Sequence, residues 1–269
     1  MTPVRLTVAR LRQLATELPD RYTVPVLHLS RARVLSGGQL DRLLRQPDTA
    51  PKAASRARQR AMTHLIGLGL VARLDRRIGG VRAGSAGYVH VLSPAGYKFA
   101  AILTGQQLPG PVRRFRAPGP MFVAHALDIA EIYVQLTEAS SKDGGFRVAT
   151  FVTEPATWWR ESGIFLRPDA YTALATSHYR DVWWVEIDRG TESIPRLHDK
   201  LRDYLDHADS GGTGPDGALP RVLITTPSAR RCAVISELIT GLPPPAADLF
   251  VVCQHREAAN RLITALHAQ

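Results

Sequence analysis

The stretches RPDA at residues 167–170 and VWWVEID at residues 182–188 decide the fold of the second half of the chain. Each is predicted to lie in a strand, and a polar turn separates the two strands. Side chains alternate between the two faces of a strand, so Trp184, Glu186 and Asp188 point to one face. Asp169 lies on the preceding strand. Carboxylates held this close together repel one another unless something positive lies between them.

Hard divalent cations such as Mg2+ take carboxylate oxygens as ligands. We therefore predict a metal-dependent phosphodiester chemistry at this face, with Asp169, Glu186 and Asp188 supplying the acids. Lys200 lies at the edge of the inward face of the following predicted helix, where its cation would neutralise a developing charge or orient water. The alternative is an ordinary polar surface, because Pro-Asp is common in turns and Glu-x-Asp is common on solvated strands.

The charge of the chain is distributed unevenly. Its net charge is +10, and residues 1–118 contain 20 Lys and Arg against 5 Asp and Glu, while the remainder contains 14 against 19. A basic N-terminal half favours binding to a polyanion, with nucleic acid preferred over a membrane surface. The chain has 30 Arg and 4 Lys. A genome bias would explain the preference for Arg but not its concentration in one half.

The sequence also indicates the cellular compartment of the protein. No apolar run approaches the roughly 20 residues of a membrane span. The N-terminus lacks the pattern of a secretory signal, so a soluble, cytoplasmic protein is expected. Cys232 and Cys253 both lie in apolar stretches. A disulfide framework is therefore not expected.

Residues 1–104 are predicted to form a winged helix-turn-helix. The predicted helices cover residues 6–18, 22–33, 37–44 and 53–68, with Ser36 as the N-cap of the third and Gly69 ending the fourth. A β-hairpin with a long basic tip follows at residues 70–92. Ser93 and Pro94 then start another helix.

In such a fold the second helix of the motif enters the major groove of DNA, and the wing contacts the backbone or the minor groove. Arginine reads guanine edges and, like lysine, also neutralises phosphates. The predicted DNA-binding residues are Lys52, Ser55, Arg56, Arg58, Gln59, Arg60, Arg76, Arg77 and Arg82. The alternative is a solvated basic helix in a winged-helix domain that binds another protein.

Residues 105–120, rich in Gly and Pro, are predicted to be a linker that leads into a second domain at residues 121–269. A helix at residues 121–139 is apolar almost all round and is expected to be buried. The remaining predicted elements are strands 146–153, 164–174 and 181–188, helix 195–207, strand 221–226, helix 229–240, strand 249–254 and helix 256–268. This order predicts a mixed sheet with flanking helices, so the fold class is α+β with an α/β second domain.

The tryptophans Trp158, Trp159, Trp183 and Trp184 form two adjacent pairs in this second half. We expect them to supply core or a partner surface rather than a platform for nucleic-acid bases.

The order of helix, three strands, helix and strand, with Pro168-Asp169 and Glu186-x-Asp188, resembles the PD-(D/E)XK nuclease fold. The whole chain, with WVEIDRGTE at residues 184–192 and KLxxY at residues 200–204, resembles the replication-relaxation family of actinobacterial plasmids and integrated elements. The nuclease resemblance implies Asp169 and Glu186 as Mg2+ ligands, with Glu131 added to the metal set as an accessory acid. Asp188 stands where that pattern has Lys. Either Lys200 replaces it from the helix or the site is inactive.

Two functions of different classes follow. In the first, a mobile-element protein docks its winged helix on double-stranded DNA and nicks or cuts nearby with Mg2+, using Asp169, Glu186, Asp188 and Lys200. In the second, a non-catalytic regulator or accessory factor for replication or transfer keeps the nuclease-like domain for dimerisation or partner binding. A homodimer would suit a palindromic DNA site, with residues 6–18 or the C-terminal helix as the interface.

Overall fold

A computed structural model describes residues 6–45, 49–77, 87–110 and 120–268 of the 269-residue chain. The chain divides into two compact units, Met1–Ala130 (unit 1) and Glu131–Gln269 (unit 2). Most of the predicted linker, including Arg113, Arg114 and Arg116, lies outside the described residues. Within the described part of the chain, no helix is both long and apolar enough to cross a bilayer.

Unit 1 is built from helices and a small sheet. Its elements are α1 (Val8–Glu17), α2 (Asp20–Ala32), β1 (Val34–Ser36), α3 (Gly37–Leu43), α4 (Pro51–Gly67), β2 (Val71–Arg77), β3 (Tyr88–Leu92), α5 (Pro94–Thr104) and the first part of α6 (Pro120–Asp143). This is the element order predicted for a winged helix-turn-helix, with β1 as an addition.

Local sequence signals fix where these helices begin. The Ser36 side chain accepts a hydrogen bond from the Gln39 backbone N–H, and the Gln39 side chain accepts from the Ser36 N–H, so the two form a capping box. Ser93 caps α5 in a similar way, with Pro94 at the first helical position. Pro51 opens α4. The predicted helix starts in unit 1 are therefore correct to within about two residues.

The small sheet of unit 1 has the order β1-β3-β2 and is antiparallel throughout. Strand β1 is too short to show a sequence period, and it was not predicted. It pairs Val34–Ser36 with the central strand β3, so the wing hairpin is joined to the segment between α2 and α3. This pairing fixes the wing relative to the helix-turn-helix.

Helix α6 contributes to both units. In unit 1, Val123, Ala126 and Leu127 pack with the buried strand residues Val34 and Val89. In unit 2, Ile132, Tyr133 and Leu136 are buried, and the Tyr133 ring lies 5.0 Å from that of Phe151. The apolar character of α6 on nearly every side matches these two sets of buried contacts, as predicted.

Unit 2 contains a five-stranded sheet, a short hairpin and flanking helices. After α6 its elements are β4 (Arg147–Thr153), β5 (Trp159–Glu161), β6 (Ile164–Leu166), β7 (Ala170–Ala175), β8 (Arg180–Ile187), α7 (Ile194–Asp209), β9 (Arg221–Thr226), α8 (Ala229–Thr240), α9 (Ala246–Leu249), β10 (Phe250–Gln254) and, after a 3-10 turn at His255–Glu257, α10 (Ala258–His267).

The main sheet is mixed, with the order β10-β9-β8-β7-β4. Strands β8, β9 and β10 are parallel, whereas β4, β7 and β8 pair antiparallel. The central strand β8 is buried along all but its first residue, which requires cover on both faces. The predicted α+β class, with a mixed sheet and flanking helices, is confirmed.

One predicted strand is divided in two. The segment 164–174 forms β6 and β7, separated by residues 167–169 around Pro168. Proline has no backbone N–H and cannot donate to a strand ladder. Contact with β8 begins at Asp169, whose N–H donates to the Val185 carbonyl (3.0 Å). The first piece instead folds back on β5 as a hairpin.

Candidate nucleic-acid interface and carboxylate site

Helix α4 of unit 1 exposes a basic face. Lys52, Arg56, Gln59 and Arg60 are exposed, and they follow one another at helical spacings that place them along one side. Thr63 continues the same side. The helix contains no acidic residue. Its outer face therefore carries uncompensated positive charge of its own, which suits a phosphate backbone.

Arg58 and Ser55 lie on the same helix but serve its packing. Arg58 is buried at 3% exposure, and its Nε donates to Asp41 of α3 (2.8 Å). The Ser55 hydroxyl donates to the other oxygen of Asp41 (2.7 Å). Because both side chains bond Asp41, we assign Arg58 and Ser55 to holding α4 against α3. The sequence pattern did not separate them from their exposed neighbours.

The wing is described only at its base. Arg73 stacks over the Tyr88 ring at 4.4 Å. Arg76 and Arg77 fall at the end of β2, and their side chains lie outside the described part of the chain. Arg82, predicted to touch DNA from the wing tip, also lies outside the described residues.

In unit 2, Asp169 and Glu186 lie opposite each other at the ends of two adjacent strands. Ala170 pairs with Val185 in the antiparallel register of β7 and β8, which places the preceding Asp169 opposite Glu186. The Asp169 Oδ2 accepts a hydrogen bond from the Ile187 backbone N–H (2.8 Å). This bond holds Asp169 against β8, just before the first residue of β7.

Glu186 is held by two side chains of α7. Its Oε2 lies 2.7 Å from the Lys200 Nζ, and its Oε1 accepts a hydrogen bond from the Tyr204 hydroxyl (2.6 Å). Lys200 and Tyr204 are four residues apart, so both side chains leave the same side of the helix. Glu186 is only 4% exposed, whereas about a third of the Lys200 side chain reaches solvent. The arrangement is a buried carboxylate paired with a partly exposed lysine side chain.

The surroundings shift the ionisation of this group of residues. Burial raises the pKa of Glu186 to about 7; Lys200 opposes the shift and Asp169 adds to it. Burial alone would lower the pKa of Lys200, but the neighbouring carboxylates of Glu186 and Asp169 raise it overall. Burial, followed by the charge of Glu186, raises the pKa of Tyr204. Asp169 thus lies near enough to influence both partners of the ion pair.

Asp188 has a different set of partners. The Arg231 Nε of α8 donates to its Oδ2 (2.5 Å), and the Gly190 N–H donates to its Oδ1 (2.9 Å). Arg231 also donates to the Glu192 carbonyl. Asp188 therefore anchors α8 and the turn that follows β8. Its carboxylate is paired with Arg231 and is not joined to the Glu186–Lys200 pair by any of these contacts.

Glu131, predicted as an accessory metal ligand, lies on α6 and accepts a hydrogen bond from Gln135 Nε2 (3.1 Å). Of the predicted acidic set, Asp169 and Glu186 are brought together with Lys200. Two residues that complete these contacts, Tyr204 and Arg231, were not predicted as site residues. The four-residue spacing from Lys200 was a sequence signal that could have identified Tyr204. No sequence signal within α8 indicated that Arg231 contacts Asp188.

The fold and sites define a class of protein with a helix-turn-helix unit bearing an exposed basic helix and a mixed-sheet unit bearing a buried glutamate–lysine pair. The model of the replication-relaxation family matches residues 27–222. The chain therefore belongs to the replication-relaxation family, as its sequence motifs predicted.

Other comparisons add little detail. No curated protein sequence matches the chain. The crystal structure of protein VC1899 from Vibrio cholerae is similar at a TM-score of 0.33 and 12% identity, covering 97% of this chain and 57% of that one. The chain thus spans somewhat more than half of the length of that protein.

Proposed function

We propose that this chain is a DNA-binding protein acting in the replication or transfer of a mobile element, and that unit 2 nicks or cuts DNA with Mg2+. Membership of the replication-relaxation family supports the first part. The acid-free basic face of α4 supports attraction to duplex DNA. The observation that carries the catalytic part is the meeting of Asp169, Glu186 and Lys200 at one end of the sheet.

The donor chemistry of this site fits a hard divalent cation. Asp169 and Glu186 offer carboxylate oxygens on adjacent strands, and such oxygens are the ligands that Mg2+ prefers. The two acids raise the pKa of the nearby Lys200, so both lie close enough to stabilise a cation there. Asp169 and Glu186 would hold the ion, which would polarise a phosphodiester and lower the pKa of a bound water.

The residues of the chain supply the remaining functions. About a third of the Lys200 side chain reaches solvent, and its ammonium beside Glu186 would neutralise charge developing on a phosphate. Tyr204 fixes the Glu186 carboxylate by its short hydrogen bond. Rigid strands and a helix hold all of these groups, which suits a site that has to keep its geometry during reaction.

Cleavage of supercoiled plasmid tests the catalytic part. With Mg2+ or Mn2+, wild type is expected to produce nicked or linear DNA, and Asp169→Asn and Glu186→Gln are expected to lose at least about 100-fold in rate, the scale of one removed electrostatic contact in an active site. Asp199→Asn is the matched control, because this exposed acid precedes Lys200 on α7. Equal cutting by all four proteins would reveal a contaminant, and no cutting by any would defeat the catalytic proposal.

Salt-dependent binding to duplex DNA tests the other part. Removing Arg56 and Arg60 together is expected to weaken affinity for any duplex and to reduce the slope of log K against log salt by about 2, since each phosphate contact contributes about 0.9. Arg12→Ala removes an exposed arginine from α1 and serves as the control. An unchanged slope in the double variant would exclude α4 as the contact surface.

A second candidate function is a non-catalytic regulator or accessory factor whose unit 2 serves dimerisation or partner binding. The observation that favours it is that Lys200 and Tyr204 already engage both oxygens of Glu186. Under this proposal Asp169→Asn leaves DNA affinity and function in replication unchanged. Metal-dependent hydrolysis that is lost in that variant would rule it out.

A further inference from the structure

The hairpin between β5 and β6 has two different faces. Two residues, Ser162 and Gly163, connect its strands, and both have positive φ (50° and 84°), as a tight primed turn requires. On the inner face, Trp159 and Ile164 pack against the main core of unit 2 and Leu166 is buried within it. The outer face must then carry the alternate residues of each strand.

That outer face carries aromatic and arginine side chains. Arg160 and Phe165 are directly paired across the hairpin, and the same alternation places Trp158 and Arg167 at its open end. The Trp158 and Phe165 rings meet edge to face at 6.0 Å. The Arg160 guanidinium lies 4.8 Å over the Phe165 ring, and that of Arg167 lies 4.7 Å over Phe165 and 5.6 Å over Trp158. We call these four residues the hairpin platform.

Trp158 is the accessible part of the hairpin platform. It is 45% exposed. Among the residues that the structure describes, it is the only Phe, Tyr or Trp side chain in the exposed class. Its ring is preordered by contacts with Phe165 and Arg167. Trp183 and Trp184, by contrast, are buried at 1% and 0% exposure. Trp183 and Trp184 therefore belong to the core, whereas Trp158 belongs to the exposed surface.

The hairpin platform lies next to the carboxylate site along the chain. Arg167 is two residues from Asp169, which limits the distance between their Cα atoms to about 7 Å. The Thr157 hydroxyl donates to the Pro168 carbonyl (2.5 Å), and the Glu154 N–H donates to the Asp169 carbonyl (2.9 Å). These bonds join the chain just before the hairpin to the chain just after it, where Asp169 lies.

We propose that the hairpin platform binds unpaired bases of a nucleic-acid strand, with Trp158 as the stacking surface and Arg160 and Arg167 contacting phosphates. A base has an aromatic face that stacks on an exposed indole whatever the sequence, and adjacent arginines supply the countercharge that the backbone needs. These two arginines stand in the acidic part of the chain, where 14 Lys and Arg oppose 19 Asp and Glu after residue 118. Positive charge clustered around an exposed ring there favours a polyanionic strand over an ordinary apolar partner.

This inference deepens the proposed function, because it names the substrate as DNA with locally unpaired bases next to the carboxylate site. Direct binding to a single strand tests it without cleavage. The full chain carrying Arg56→Ala and Arg60→Ala serves as the background, so that attraction by α4 is reduced. The probe is a labelled 12-nucleotide oligo(dT), followed by fluorescence anisotropy.

In that background, Trp158→Ala is expected to weaken oligo(dT) binding by at least about fivefold, the lower end of what one lost base–aromatic stack costs. Trp158→Phe should restore most of the affinity, because the phenyl ring still stacks. Val234→Ala, another exposed apolar side chain of unit 2, is the matched control and should bind like the background protein. An abasic oligonucleotide of the same length should bind the background protein and the Trp158→Ala protein equally weakly.

Equal affinity of the background and Trp158→Ala proteins for oligo(dT) would overturn the proposal and leave a protein partner as the occupant of the platform. Equal loss on oligo(dT) and on the abasic oligonucleotide would also overturn it, since the contact would then not involve bases. Plasmid cleavage and duplex binding are measured separately, so failure of the proposed function is distinguishable from failure of base stacking.

Discussion

Arg56 and Arg58 stand two residues apart on α4 and have opposite surroundings. Arg56 is exposed, whereas the Arg58 side chain is 2% exposed and bonded to Asp41, itself 15% exposed. An exposed charge interacts mainly with solvent and ligands, and a buried pair is part of the packing. The same amino acid on one helix is therefore open to solvent at one position and part of the packing at the other.

Arg58→Ala is expected to lower the free energy of unfolding by about 3 kcal/mol or more, because it leaves the Asp41 carboxylate without its guanidinium partner. Arg56→Ala should change stability by less than about 0.5 kcal/mol but weaken DNA binding. Urea unfolding of both variants checks this. If Arg58→Ala unfolded at the urea concentration of the wild type, the structural role assigned to Arg58 would be wrong.

Two histidines of unit 1 make stability depend on pH. Burial, followed by the charge of nearby arginines, lowers the pKa of His28 and of His90 from 6.5 to about 4. In the unfolded chain both take up protons near pH 6.5, but in the folded chain they do so only near pH 4. The unfolded chain therefore binds more protons than the folded chain between pH 6.5 and pH 4. The free energy of unfolding is highest above pH 6.5 and decreases as the pH falls towards 4.

His90→Gln is expected to reduce the loss of stability between pH 7 and pH 4.5, since His90 is 2% exposed and would otherwise have to remain neutral. In the wild type, His90 accounts for a decrease in the free energy of unfolding of at most about 3 kcal/mol, because each unit of pKa shift corresponds to about 1.4 kcal/mol. Denaturant unfolding at the two pH values measures it, with exposed His64→Gln as the control. The same loss in His90→Gln as in wild type would contradict the assignment.

At the scale of elements, one close approach fixes the position of α5. A Cβ added to Gly96 would lie 2.0 Å from the Leu70 carbonyl oxygen, at the junction of α4 and β2. The Ser93 hydroxyl also donates to the Gly69 carbonyl nearby (2.6 Å). The start of α5 therefore lies directly on the backbone that connects α4 to β2.

Gly96→Ala is expected to destabilise unit 1 by about 1–3 kcal/mol, because the added methyl group meets rigid backbone rather than a movable side chain. Gly67→Ala is the matched control. It also lies in a helix, but nothing lies within 4 Å of its added Cβ, and it should be neutral or stabilising by about 0.5 kcal/mol. Thermal unfolding compares the two, and a Gly96→Ala protein as stable as Gly67→Ala would disprove this contact.

Elements with local signals were predictable, and elements that depend on distant pairing were not. Residues 221–226 and 229–240 were predicted with the bounds that the structure has, since a β-branched run and a Ser228 cap mark them. Strand β1 has three residues and exists through its pairing with β3. The β5–β6 hairpin escaped prediction because its short strands are stabilised by the core beneath Trp159, which sequence periodicity does not reveal.

In the candidate site, too, some residues could be predicted from local sequence and others could not. Strand alternation placed Glu186 and Asp188 on one face, the nuclease resemblance paired Asp169 with Glu186, and Lys200 was placed at the edge of the inward stripe of α7. The partner of Asp188 did not, because Arg231 reaches it from a helix 43 residues further along the chain. Burial of Arg58 depended likewise on Asp41, 17 residues away. Side chains whose roles depend on contacts between elements require the structure.

At the scale of the whole molecule, the glutamate–lysine pair joins the central strand of unit 2 to α7. Glu186 comes from β8, which is buried along nearly its whole length, and Lys200 comes from the helix that packs through Leu197, Leu201 and Tyr204. A buried ion pair of this kind is costly to desolvate and is sensitive to the loss of one partner. Retaining it at the end of the central strand favours a role beyond packing.

Lys200→Met is expected to reduce the free energy of unfolding by about 3 kcal/mol at pH 8, at the lower end for a broken buried pair because a third of Lys200 reaches solvent. The effect should be smaller at pH 5.5. Lys200 lowers the pKa of Glu186, so removing Lys200 moves the pKa of Glu186 above the present value of about 7. At pH 5.5 the glutamate is then protonated and carries no unpaired charge.

Arg196→Met, an exposed neighbour on α7, should show little change at either pH. A loss in Lys200→Met that is equal at pH 5.5 and pH 8 would mean that methylene packing, and not the charge of Glu186, explains the contribution of Lys200.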